Sequence, residues 1–122
     1  MSAELKAFRM LDTEPLLQAA YEDNHRVMAP THVVWKDGEI IGYGSCNGAP
    51  LLLWWMSREK GTARDTVTLT PQVDKVFKEN HCSWYLTAVA NKSPYFPFMR
   101  KLGYKGLGPT NIFLKKIKEE VK

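Results

Sequence analysis

Long apolar runs are missing from this 122-residue sequence. The longest, Leu51 to Met56, falls far short of the roughly 18 residues that a membrane-crossing helix requires. The first stretch, MSAELKAFRML, carries Glu4 and no apolar core of signal-peptide length, so a cytoplasmic protein is expected. Cysteine is scarce: Cys46 and Cys82 stand alone without a C-x-x-C pattern, which predicts two reduced thiols rather than a disulfide. His25, His32 and His81 share no metal-ligand spacing with each other or with the cysteines, so no metal is expected. Charge of one sign is also limited, with 17 basic and 13 acidic side chains giving a net +4. Much of the basic excess falls late, at Arg100, Lys101, Lys105, Lys115, Lys116, Lys118 and Lys122. That pattern fits a solvated face better than an anion-binding one. It lacks the interleaved aromatics of a single-strand binder, so nucleic acid is not an expected partner. No internal repeat or low-complexity segment appears. At 44% apolar residues, the chain suits one domain over residues 1–122 with one core.

What is present centres on LLLWWMSREKGTA, Leu51 to Ala63. An apolar run of this length between turn residues fits a strand buried on both faces. Adjacent strand residues face opposite ways, so Trp54 and Trp55 cannot form one stacking surface. Upstream, HVVWKDGEIIGYGSC (His32 to Cys46) places two apolar segments around Asp37-Gly38, the pair that a tight hairpin turn favours. Gly42 and Gly44 in its second half predict a bulge or a close approach by another group. With the run from Leu51, these segments predict a three-strand antiparallel meander.

The flanking segments complete an α/β pattern. Leu5 to Leu11 reads as a first strand, and Asp12 or Thr13 caps a helix from about Glu14 to Met28, stopped at Ala29-Pro30. Thr70-Pro71 reads as the start of a second helix, with Val73, Val76 and Phe77 as its apolar stripe. Ser83 to Ala90 is rich in strand formers. A strand, helix and strand in succession give a right-handed parallel crossover, which sets this strand beside Leu51 to Met56. A short helix over Phe98 to Leu102, ended by Gly103, and a last strand from about Thr110 to Ile117 close the pattern. The prediction is a mixed, mostly antiparallel twisted sheet of about six strands with helices on both faces.

This order resembles the core of the GNAT acetyltransferase fold. Three segments carry the resemblance: HVVWKDGEIIGYGSC followed by a buried strand, Arg58-Glu59-Lys60-Gly61-Thr62-Ala63, and NKSPYFPFMRKLGYKG with NIFLKKI after it. The second is similar to the family's [Q/R]-x-x-G-x-[G/A] pattern, and the third to its ending with a "k-l-G-[FY]" turn. The resemblance implies acetyl-CoA as cofactor, an unknown amine as acceptor, and N-acyl transfer as the activity. The pantetheine arm would lie along the strand backbone at Met56 and Ser57, with Asn91 either contacting it or merely ending a strand. Arg58, Gly61, Thr62, Ala63 and Arg64 would cradle the pyrophosphate at a helix N-terminus, which favours anions. Gly61 would let the phosphate approach the backbone.

Two departures from the family stand in the sequence. The best helix start, Thr70-Pro71, comes late for a cradle at Gly61. The family's general-acid tyrosine falls on Met99, which cannot donate a proton. Tyr95, four residues earlier, is the candidate substitute. No single base stands out among Glu39, Glu59 and the three histidines. The chain is also similar to small GNAT-like proteins encoded by tailed bacteriophages. That likeness implies an alternative: a catalytically silent virion or assembly component whose partners are other phage structural proteins.

Overall fold

The computed structural model describes residues 2–46, 50–90, 92–108 and 111–117. Their strands are β1 (Glu4–Ala7), β2 (His32–Lys36), β3 (Glu39–Cys46), β4 (Leu51–Met56), β5 (Trp84–Ala88), β6 (Tyr104–Gly106) and β7 (Ile112–Lys116). They form one sheet in the order β1-β2-β3-β4-β5-β7-β6. Every neighbouring pair is antiparallel except β4 and β5. Helix α2 (Ala63–Glu79) makes the crossover between those two, as the connection rule requires.

The expected hairpin is present. Asp37 and Gly38 both take positive φ, 51° and 80°, the pair of left-handed residues its turn needs. The expected bulge is present too. Val34 faces Gly42 and Trp35 faces Ile40, which leaves Ile41 as the extra residue. A side chain on Gly42 would place its Cβ 2.3 Å from the Trp55 carbonyl oxygen, so the approach of β4 demands glycine there.

Two helices cover opposite faces of this sheet. From α1 (Thr13–Glu22), Leu16 and Ala20 pack over Val33, Ile40, Tyr43 and Trp55. From α2, Leu69, Val73 and Phe77 recur every four residues. Leu69 joins Val34, Ile41 and Met56, while Val73 and Phe77 join Leu52 and Tyr85. Fully burying each such side chain contributes about 1.5–3 kcal/mol. β4 runs between both layers, with Trp55 toward α1 and Met56 toward α2. Its first residue, Leu51, remains exposed. None of the described helices is long and apolar enough to cross a membrane.

Several expected boundaries are corrected. β1 stops at Ala7, and Met10–Asp12 forms a single 3-10 turn that leaves Met10 and Leu11 exposed. α1 ends at Glu22 because Asn24 turns left-handed at φ 52°. The second helix begins at Ala63, seven residues before Thr70, and carries Pro71 inside it. Its apolar stripe lies on both sides of the proline, so packing holds one continuous helix although Pro71 cannot donate to the Val67 carbonyl. The Thr70 hydroxyl, instead of capping, donates to the Thr66 carbonyl at 2.7 Å. Phe96–Phe98 is a 3-10 turn, and Gly103 at φ 95° closes the bends after it while Tyr104 N–H donates to Met99 O at 3.1 Å. The short β6 that follows was not expected from the sequence. Lys115, counted with the surface charges, is buried.

Candidate functional site

The parallel pair is where the sheet opens. β4 and β5 are paired only at Leu51–Leu86 and Leu52–Thr87. Leu86 N–H donates to Pro50 O at 2.8 Å, and the buried Thr87 hydroxyl donates to Leu52 O at 2.9 Å. Beyond that point the strands separate. Ser57 N–H donates to Ile41 O at 2.7 Å on the β3 side. Strand alternation therefore turns the N–H and C=O of Trp54 and Met56 toward the split. Among the described residues neither amide has a hydrogen-bond acceptor there. This is an open strand edge, able to pair with a chain of secondary amides.

The turn after β4 is closed on itself. Gly61 N–H donates to Ser57 O at 2.9 Å and Lys60 N–H to Ser57 Oγ at 3.2 Å, while Arg58 N–H reaches Asp23 Oδ2 at 3.4 Å. Thr62 N–H donates to Asp65 Oδ2 at 2.9 Å, and Asp65 N–H returns to Thr62 Oγ1 at 3.2 Å, a reciprocal cap on α2. Lys36 Nζ sits 2.8 Å from the same carboxylate oxygen. Burial would raise the Asp65 carboxyl, but the hydrogen bonds from Lys36 and Thr62 outweigh it and hold it below the usual carboxylate range. A Cβ on Gly61 would stand 2.5 Å from Met56 Cγ and 2.8 Å from Ser57 O. Packing against β4 by itself requires glycine here.

These contacts bear directly on a nucleotide thioester. The strand edge at Trp54 and Met56 fits a pantetheine arm. The phosphate end fits poorly. Of the amides expected to cradle it, those of Gly61 and Thr62 are engaged inside the protein. The N–H groups of Ala63 and Arg64, in the first helical turn, have no intrahelical acceptor. The side chains of Arg58 and Arg64 are exposed. The anion that a helix N-terminus attracts is already supplied by Asp65.

Tyr95 is buried, with its ring 5.4 Å from that of Trp54, in the cluster that holds Met56 and Leu69. Burial raises its hydroxyl pKa, and the negative charges of Asp65 and Asp23 raise it further. Those carboxylates lie on opposite sides of the sheet, one opening α2 and one ending α1. The Tyr95 ring itself lies on the α2 side of the sheet, beside Trp54. Met99 is enclosed in the core with Leu52, Val73 and Tyr104 and lines the same apolar cavity as Trp54 and Met56, where its thioether has no proton to donate. Asn91 lies outside the described residues.

On the α1 face a cluster assembles that the sequence did not signal. Trp55 Nε1 donates to Asp23 Oδ2 at 2.8 Å. His25 stacks on Trp55, with ring centroids 5.3 Å apart and planes at 14°. Tyr43 Oη accepts the Met28 N–H and lies 3.1 Å from His25 Nε2. Desolvation lowers the His25 pKa, against the pull of Asp23, and keeps the imidazole neutral near pH 7. Glu39 is instead tied to Lys60 at 3.3 Å, His32 Nδ1 to Thr31 Oγ1 at 2.8 Å, and Glu59 and His81 are exposed. Of the candidate bases, His25 is the one that joins a cluster at the end of β4. Among the described residues no group of His, Cys, Asp or Glu is arranged to hold a metal.

A second polar cluster lies under α2, away from the split. Tyr85 Oη donates to Asp74 Oδ1 at 2.8 Å and lies 2.7 Å from Tyr104 Oη, while Lys115 Nζ lies 2.8 Å from Asp74 Oδ2. Burial raises both tyrosine pKa values, so this cluster ties β5, β6 and β7 to α2 as neutral phenols around one ion pair. The Cys46 thiol is likewise buried and pushed up to about 11, which makes it inert.

No protein-family model matches the sequence, and no curated protein is similar to it at a significant level. The similarity to solved structures is in the fold. The PaiA N-acetyltransferase of Thermoplasma acidophilum, in complex with coenzyme A, superimposes with a TM-score of 0.68 at 16% identity, covering 95% of this chain and 99% of that one. Ard1 of Thermoplasma volcanium gives 0.67 at 13% identity, covering 98% and 100%. AAC(6')-Ib, in complex with paromomycin and acetyl-CoA, gives 0.64 at 13% identity, covering 95% and 94%. The chain therefore has the fold of the GNAT acetyltransferases along nearly its whole length.

Proposed function

We propose that this protein is an N-acyltransferase that uses a coenzyme A thioester as acyl donor and an amine as acceptor. The observation that carries the proposal is the open edge of β4 at Trp54 and Met56, in a fold shared with structures that hold coenzyme A. Bound there, the donor would supply an acyl carbonyl already activated as a thioester. The chain's own groups would orient it and handle charge. The N–H and C=O of Trp54 and Met56 would pair with the amides of the arm. Tyr95, which keeps its proton at neutral pH, would donate a hydrogen bond to the departing sulfur. Asp23 on the α1 face would attract a cationic amine to the same opening.

A second reading keeps the fold as a structural or assembly module, as in a phage virion component. Met99 in the core and the carboxylate at the start of α2 favour it. Amide exchange separates the two. With acetyl-CoA in excess, the Trp54 and Met56 amides should exchange more slowly, and the protein should gain about 2.7 kcal/mol at 100 times Kd. Unchanged exchange at both amides without thermal stabilisation would overturn the acyltransferase proposal in favour of the module.

A further inference from the structure

We infer that Asp65 sets which part of the donor is recognised: the site grips the pantetheine arm and gains little from the pyrophosphate. The inference rests on the acyltransferase proposal and deepens it. At an uncapped helix N-terminus a phosphate would neutralise the orphan N–H groups. Here Thr62 N–H is taken by the Asp65 carboxylate at 2.9 Å. Lys36, half-buried, is turned to the same oxygen at 2.8 Å. Both groups of the pair are well shielded, with side-chain exposures of 18% and 6%. A phosphate arriving at α2 meets an N-terminus whose capping need Asp65 already fills, and Lys36 is committed to that carboxylate. The Ala63 and Arg64 amides remain, with the exposed guanidinium groups of Arg58 and Arg64. Their attraction is screened by salt. The arm, by contrast, pairs with strand backbone that Asp65 does not touch.

Two substitutions of the same ion pair make opposite predictions. Asp65→Asn keeps the size and the capping oxygen, removes the negative charge and frees Lys36. Lys36→Met leaves the carboxylate without its partner. Calorimetry with acetyl-CoA and with S-acetyl-pantetheine, which lacks the nucleotide and pyrophosphate, reads the difference. The unsubstituted protein should bind the two ligands within about threefold of each other. Asp65→Asn should bind acetyl-CoA at least about tenfold more tightly and Lys36→Met about threefold more weakly, with S-acetyl-pantetheine unchanged in both. Loss of stability cannot produce this result, since both variants break one ion pair and their effects carry opposite signs. Unchanged or weakened acetyl-CoA binding in Asp65→Asn would overturn the inference alone. So would acetyl-CoA binding to the unsubstituted protein far more tightly than S-acetyl-pantetheine. Failure of all three proteins to bind either ligand would overturn the acyltransferase proposal, and the inference with it.

Discussion

Thr87→Val tests what holds the sheet closed where it begins to split. The Thr87 hydroxyl donates to the Leu52 carbonyl at 2.9 Å, and the residue is 1% exposed. Valine keeps the shape and removes the hydroxyl, leaving that buried carbonyl its ladder bond alone. Losing such a hydrogen bond costs about 0.5–1.5 kcal/mol, and the added methyl recovers at most about 0.8 kcal/mol. The net loss should be about 0.5–1 kcal/mol, or roughly 2–6 °C in Tm for a domain of this size. Thr87→Ser is the control, since it keeps the hydroxyl and loses only a methyl. Chemical denaturation should rank Val below Ser in stability. Exchange of the Leu86 amide, which donates to Pro50 O just before this pair, should quicken more in Val than in Ser. Equal stability of Val and the parent, or Ser falling below Val, would show that packing rather than the hydrogen bond sets the end of the β4–β5 ladder.

Pro71→Ala should stabilise α2 by about 2 kcal/mol, from about 3 kcal/mol for proline in a helix interior less about 1 kcal/mol for the looser unfolded chain; a circular-dichroism melt with unchanged Tm would refute this. The His25 and His32 pKa values are both lowered by burial, so the unfolded chain takes up protons first as pH drops below about 6.5. Their contribution to stability is full above that value and is lost as pH falls toward the folded pKa values. His25→Gln should flatten the fall in Tm between roughly pH 7 and 5, and an unaltered slope would remove His25 from the account.

Local chemistry was legible in the sequence, and pairing between distant segments was not. Asp37-Gly38 set the hairpin, the run from Leu51 set the central strand, and the crossover rule set β5 beside it. Those signals lie within one or two elements. Asp23 and Trp55, by contrast, are 32 residues apart, and Asp74 and Lys115 are 41 apart. No pattern along the chain joins either pair, so Lys115 reads as one more surface lysine until Asp74 is seen beneath it. β6 is three residues long between Gly103 and a closing glycine, too short to show a period. The start of α2 is a different kind of miss. Thr62-x-x-Asp65 is a capping pattern visible in the sequence, and Thr70-Pro71 outranked it because proline at a first helical position is the louder signal.

That choice between two helix starts decides the chemistry of the site. A helix from Thr70 would leave Arg58 to Ala63 as a free loop, with Gly61 open to a phosphate. A helix from Ala63 draws the loop onto β4, sets Gly61 against Met56 and puts Asp65 at the N-terminus. The residues of the family's glycine pattern are in place, yet four of the backbone donors from Arg58 to Ala63 serve the protein's own fold. A residue-level match can therefore survive while the interaction it stands for is replaced. The strand edge at Trp54 and Met56 escapes this ambiguity, because no side chain substitutes for an unpaired backbone amide. Donor binding, if it follows the fold, should thus depend on that edge more than on the glycine loop.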